Sequence, residues 1–225
     1  PMSLAYRLFG VNDFSSVIFV LLTSIASIIL IFYFGRLLFN EKIGLMASFL
    51  LSFFPLDIVH ATQLGSDLPS AFFMALGVYV FLNAEMNRKL KYGLDYLLSG
   101  IFIGIGYLIR ESVLLIALFF IFYIIYKRKI KREYFLVPAG VIIIFIIEAF
   151  IFLYLTGDPT YRIIKSQQYL AEAVSSRYNY FGRLDFPEGL LHYPWLFLTN
   201  NLLTYFYIFI AIALVYALIN KKKET

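Results

Sequence analysis

The chain has no cysteine, which excludes disulfides, thiolate metal sites and cysteine nucleophiles, and says nothing of redox compartment. Charge is scarce: Asp, Glu, Lys and Arg make up 15% of 225 positions, against about a quarter in soluble globular chains. No basic stretch followed by an apolar run and a small-residue cleavage site opens the chain, so no signal peptide is expected in it. Internal repeats and low-complexity linkers are also absent from the sequence. What is abundant is apolar. Hydrophobic residues reach 61% and the mean hydropathy is +0.82. A soluble domain of this size has too little interior to hide so many Ile, Leu and Phe side chains, and a bilayer is the solvent that accommodates them. The formal net charge of +5 would suggest a polyanion partner in a soluble protein. Here it reads as Lys and Arg in cytoplasmic loops, and no nucleic-acid partner is expected.

Apolar stretches that can cross a membrane fall at roughly 14–35, 43–59, 69–84, 94–109, 111–126, 134–155 and 197–219. Crossing about 30 Å takes about 20 helical residues. The basic clusters are Arg36/Lys42, then Arg88, Lys89 and Lys91, then Lys127 to Arg132, then Lys221 to Lys223, whereas 56–68 has no Lys or Arg. Placing every cluster in the cytoplasm requires an even number of crossings between them. Residues 94–126 are therefore expected as two short helices meeting at Arg110–Glu111 on the outer side. The expected fold is all-α: one polytopic transmembrane bundle over 1–225 with about seven spans, N-terminus outside and C-terminus cytoplasmic. Residues 156–196 form an external loop, with an interfacial helix over Tyr161 to Tyr169.

Charged groups near a membrane are functional candidates by default, and the varied ones converge on the expected outer surface. Residues 56–68 supply Asp57, His60, Gln63, Ser66 and Asp67; the short turn supplies Arg110 and Glu111. The long loop opens TGDPTYRIIK, with Asp158, Tyr161, Arg162 and Lys165, and continues to Arg177, Arg183, Asp185, Glu188 and His192. Each has a second reading. Ser66 or Asp67 before Pro69 is compatible with a helix N-cap as well as with catalysis. Asp57 and His60 lie one turn apart, so they share a helix face or coincide by chance. His60 is a metal ligand or an interfacial hydrogen-bonding histidine. Arg110 either pairs with Glu111 or presents its planar fork to a phosphate. Gly100 and Gly104 form GxxxG, a close-packing motif. TGDPTYR matches no nucleotide-binding motif.

The order of these features resembles a known family. The opening P-x-x-x-x-Y-R-L-F-G-V-N-D-F-S and the run F-G-R-L-L-F-N-E-K-I-G-L-M-A-S-F-L-L-S-F-F-P resemble the early core of the GT-C membrane glycosyltransferases. The branch that is most similar contains the protein O-mannosyltransferases and the bacterial aminoarabinose transferase of lipid A. Asp67-Leu68-Pro69, the hairpin G-I-G-Y-L-I-R-E-S-V-L-L and the external G-D-P-T-Y-R are similar to motifs of that family. The resemblance covers most of residues 1–170.

The resemblance implies sugar transfer, with inversion, from a polyprenyl-phosphate donor lipid to an acceptor of unspecified kind on the extracytoplasmic face. Asp67 would activate or position the acceptor, and Arg110, with Arg162 or Lys165, would neutralise the leaving phosphate. No cofactor is identified; a divalent metal ion at Asp67 or His60 is the candidate. The family's principal catalytic acid lies upstream of Pro1, so the chain is expected to be an inactive fragment of a larger enzyme. The expected location is the plasma membrane of a prokaryote. The alternatives are a polytopic transporter or lipid-linked-oligosaccharide flippase, for which Glu148 is the buried-charge candidate, and a non-catalytic membrane module.

Overall fold

Asn12 starts the first long helix. Its side chain accepts from the Ser15 amide at 2.8 Å while Ser15 Oγ accepts from the Asn12 amide at 3.0 Å, a capping box that satisfies two donors left over at a helix start. In this computed structural model, residues 2–87, 93–128 and 130–180 are described. They contain helices and turns and no strand. A short helix, α1 (Met2–Phe9), precedes α2 (Asp13–Leu38), which at 1.5 Å per residue is about 39 Å long. Asn40 caps the next helix by accepting from the Ile43 amide at 3.0 Å, so the chain reverses within two residues.

The return runs through α3 (Glu41–Ser52) and α4 (Pro55–Ala61), bent by 60° where Pro55 opens the second piece. The stretch expected to cross at 43–59 is thus two helices and not one straight span, because proline cannot donate to the ladder and clashes with the preceding turn. Gly35 and Gly44 let α2 and α3 touch: a Cβ on Gly35 would lie 2.5 Å from Gly44 Cα. α5 (Asp67–Asn87) follows, then α6 (Leu94–Ile109), a 3-10 turn (Glu111–Ile116) that runs into α7 (Ala117–Lys127), a second 3-10 turn (Arg132–Phe135) and α8 (Leu136–Thr156). Among the described residues three helices are long and apolar enough to cross a membrane, four if the bent pair counts as one span. The 16-residue α6 is apolar but shorter.

The expected break at Arg110 is present: its backbone is extended, φ −152° and ψ 125°, between α6 and the 3-10 turn. Tyr96 near the start of α6 and Tyr123 near the end of α7 both donate to Glu85 of α5, so the chain doubles back at Arg110. Phe81, Tyr96, Ile103, Val113, Tyr134 and Val137 form the core of α5, α6 and α8. Gly100 and Gly140 face one another where α6 crosses α8, and Gly104 meets Ile144. Elsewhere large apolar side chains point outward, among them Ile121, Phe122, Phe150 and Leu155, as a lipid-facing surface does.

The chain divides at Arg162 into two units, Pro1–Arg162 and Ile163–Thr225. α9 (Tyr161–Tyr180) begins at the end of the first and continues into the second, eleven residues beyond the expected end at Tyr169. The expected last span at 197–219, the basic residues 88–91 and 221–223, Arg183, Asp185, Glu188 and His192 lie outside the described residues, as does the side chain of Arg177.

Candidate functional site

Asp67 is the first residue of α5, and its carboxylate is paired with the Arg110 guanidinium at the end of α6. The backbone explains how. Arg110 leaves the helical conformation after its amide has bonded Gly106 O at 3.0 Å, which turns its side chain away from α6 and toward α5. Both side chains are about half exposed, 51% for Asp67 and 48% for Arg110. An ion pair so placed is reachable by a ligand and contributes little to stability. The pairing was not legible in the sequence: Arg110 engages Asp67 across two helices.

A cavity of about 350 Å³ opens beside the pair. Ser66 and Pro69, which flank Asp67, form part of its wall; Leu108 and Ile109, which precede Arg110, form another, and Ser16 and Val20 of α2 complete it. That volume lies in the range of small-molecule sites. A second cavity of about 540 Å³ is almost wholly apolar and lies along α7 and α8, with Phe81 and Ile103 behind it. Leu114 of the 3-10 turn, four residues past Arg110, begins a wall that α7 continues through Ile121 to Ile124.

Arg162 forms the other charged centre of this unit. Its Nη1 donates to Glu148 Oε1 at 2.5 Å, its Nη2 donates to the Tyr107 carbonyl at 2.8 Å, and its Nε stands 3.9 Å from Glu111 Oε1. The guanidinium carbon sits 4.7 Å from the Tyr107 ring centroid, within cation–π range. Tyr107 is in the last turn of α6, where carbonyls have no intrahelical partner, and a cation there also complements the negative end of the helix dipole. Glu148 is 16% exposed and Arg162 21%. Counting Asp67, Glu111 and Glu148 against Arg110 and Arg162, the two centres together carry one surplus negative charge.

The remaining expected residues separate from this centre. Asp57 is buried in α4 and accepts from Ser24 Oγ of α2 at 2.5 Å, a bond that fastens α4 to α2. His60 lies half-buried on the next turn of α4. Asp158 closes the turn after α8: its Oδ1 accepts from the Thr160 amide at 2.8 Å and hydroxyl at 2.7 Å. Those bonds, the hydroxyl's first, hold its carboxyl below the ordinary value of 3.8. Gly157 provides the left-handed C-cap there, φ +76°. Tyr161 stacks on Phe152, centroids 5.8 Å apart. Lys165 lies in the second unit, where its Nζ donates to Gln168 at 3.1 Å. Among the described residues no three His, Cys, Asp or Glu side chains gather as a metal site requires, so no ligand set for a metal is assigned.

Sequence reasoning linked neither Tyr107 nor Ser24 to the site and weighed Glu148 only as a transport residue. A lone acid in an apolar span needs a cation, and Arg162, just past the end of α8, was the signal that could have joined the two.

The family model described as dolichyl-phosphate-mannose-protein mannosyltransferase matches residues 2–167. No curated protein and no solved structure matches the chain. The match covers every element from α1 to the start of α9, including both charged centres, and together with the apolar helices it describes a membrane glycosyltransferase that acts with a lipid-linked donor. The chain belongs to the dolichyl-phosphate-mannose-protein mannosyltransferase family.

Proposed function

We propose that the protein moves a sugar, with inversion, from a polyprenyl-phosphate carrier to an acceptor on the extracytoplasmic face of a membrane, with Asp67 and Arg110 at the reacting centre. The observation that supports this most directly is the half-exposed Asp67–Arg110 pair beside a sugar-sized cavity whose walls flank both residues. In the proposed reaction the acceptor hydroxyl oxygen attacks the anomeric carbon. The bond from that carbon to the phosphate oxygen breaks, and polyprenyl phosphate departs with the electron pair. The acceptor proton goes to the Asp67 carboxylate. Arg110 first pairs with Asp67, then with the arriving phosphate, whose two oxygens match its fork. That exchange frees the carboxylate to take the proton as the leaving group gains charge. Arg162, already engaged by Glu148 and the Tyr107 carbonyl, would add positive potential nearby. The apolar groove that starts at Leu114 would hold the first isoprene units.

The same reading includes seven crossings, an external N-terminus, a cytoplasmic C-terminus and α9 resting on the outer leaflet. It is supported by the position of Arg36, Lys127, Arg128, Lys131 and Arg132 at the helix ends away from Asp67 and Arg110. Single cysteines at Gln63 and Arg132 of this cysteine-free chain should react with impermeant maleimide from opposite sides; reaction from one side refutes the orientation. A transporter reading would set Glu148 on a pathway, but Arg162 occupies its carboxylate.

Activity is tested with the complete protein in membranes, a polyprenyl-phosphate mannose donor labelled in the sugar, and transfer of label as the readout. Asp67→Ala and Arg110→Ala should each slow turnover at least about tenfold, which is about 1.4 kcal/mol of barrier. Rates like the wild type in both variants reject the site.

A further inference from the structure

At the end of α5 away from Asp67, one carboxylate gathers donors from three other segments. Glu85 Oε1 accepts from the Tyr96 hydroxyl of α6 at 2.6 Å and from Lys131 Nζ at 2.8 Å, and Glu85 Oε2 accepts from the Tyr123 hydroxyl of α7 at 3.3 Å. The Glu85 side chain is 9% exposed. One turn earlier on the same face, Phe81 is 1% exposed, with the rings of Tyr96, Tyr123 and Tyr134 at 5.7, 5.1 and 5.5 Å. A buried charge is tolerated only where it is paired and hydrogen-bonded, and satisfied networks of this kind fix one packing among several of similar apolar content.

The lengths give this network a task. From Asp67 to Glu85, α5 rises about 27 Å, and from Tyr96 to Arg110, α6 rises about 21 Å. Two antiparallel helices of unequal reach meet at both ends only because long side chains bridge the difference: Tyr96 to Glu85 at one end, Arg110 to Asp67 at the other. Along the contact between them glycine and apolar groups meet, apart from Ser99 Oγ, which donates to the Gly77 carbonyl at 2.8 Å; that one neutral bond is modest beside charge-assisted ones, so the two ends carry most of the register. A slip of one residue, about 1.5 Å, would break the bond at Glu85 and carry Arg110 off Asp67.

We propose that Glu85 is a positioning residue that sets the register of the α6–α7 hairpin against α5, and so places Arg110 on Asp67. The inference rests on the reading of Asp67 and Arg110 as the reacting centre, but its test does not use turnover. The register can be read with a disulfide, because the chain has no cysteine of its own. A Cβ on Gly106 would stand 3.4 Å from Phe73 Cβ, close to the separation of a disulfide; Val113 Cγ1, at 3.2 Å, gives way by rotation of its side chain.

The complete protein carrying Phe73→Cys and Gly106→Cys, oxidised mildly in membranes and quenched with a polyethylene-glycol maleimide, should lose label rapidly as the disulfide forms. Adding Glu85→Ala should slow closure at least about fivefold, the equivalent of about 1 kcal/mol. Glu85→Gln, which keeps an acceptor for the tyrosines, should restore most of the rate. Tyr96→Phe, which keeps the ring against Phe81, should slow closure at least about twofold, about 0.4 kcal/mol, and decides the matter if Glu85→Ala does not accumulate. Closure at the parent rate in Tyr96→Phe, or in a folded Glu85→Ala protein, overturns the proposal. Either result leaves the activity losses expected of Asp67→Ala and Arg110→Ala as a separate question.

Discussion

Replacing Gly100 by alanine should loosen the bundle at its tightest point. A Cβ there would overlap the Val137 carbonyl and lie 3.0 Å from Gly140 Cα, and a backbone carbonyl cannot rotate out of the way. The helices must part by roughly 1 Å, and a gap of that size forfeits a quarter to a half of each dispersion contact. In lipid those contacts are what hold helices together, since the tails are as apolar as leucine. With about 50 atom pairs at about 0.15 kcal/mol each across the crossing, the loss is about 2–4 kcal/mol. The better helix propensity of alanine returns up to about 1 kcal/mol. The net is about 2 kcal/mol, within the range for overpacked cores. Thermal unfolding of the purified protein in detergent, followed by loss of the monodisperse peak, should show a midpoint lowered by roughly 4–8 °C. Gly65→Ala, with nothing within 4 Å and no positive φ, is the matched control and should melt with the wild type. A Gly100→Ala protein that melts at or above the wild-type midpoint would refute the reasoning.

Three further outcomes follow from particular bonds. Ser24→Ala removes the hydroxyl that Asp57 accepts from at 2.5 Å and leaves a buried carboxylate short of a donor, a loss of about 1–3 kcal/mol in detergent unfolding; no change in midpoint would mean that the bond is not kept in solution. Arg162→Ala takes the charged donor from the partly buried Glu148 carboxylate, a loss of about 1–3 kcal/mol. Arg162→Lys should recover only part of it, because a point charge cannot serve Glu148 and the Tyr107 carbonyl together, and equal midpoints for Lys and Arg would contradict that. At Asp158 the folded pKa is depressed, so the turn's contribution is complete above 3.8 and is lost only as pH falls through the lower, folded value. Amide exchange at Thr160 should therefore stay slow below pH 3.8, and loss of protection above it would refute the Asp158–Thr160 bonds.

The parts legible in the sequence were those with a local or counting signal. Charge parity among the loops located the break at Arg110 without any signal in 94–126 itself, whereas 43–59 was read as one span and the bend at Pro55 was not anticipated. Asp57 and His60 fall on one helix as their spacing suggested. Pairings across the bundle were not legible. Whether Arg110 meets Asp67 depends on how α6 ends, which is set by its contacts with α5 and not by the residues nearby. Glu85 carries no local signal that sets it apart from other acids near a helix end; its role emerges only when Tyr96, Tyr123 and Lys131 are brought to it from other segments. Rotation of a helix about its own axis decides such contacts, and a uniformly apolar span carries no stripe from which to read it.

The hold of Arg162 on Glu148 and on the last turn of α6 has a consequence for how this stretch can vary. Between the C-cap at Gly157 and Arg162 the chain has only Asp158, Pro159, Thr160 and Tyr161, already folded into a turn by the Asp158–Thr160 bonds and anchored by Tyr161 on Phe152. It is a short strap whose length is fixed by geometry. Many side chains could replace those at 159 and 160, but adding or deleting one residue would swing Arg162 through about a quarter turn of α9 and out of reach of both its partners. Length, more than composition, is what selection would be expected to guard here.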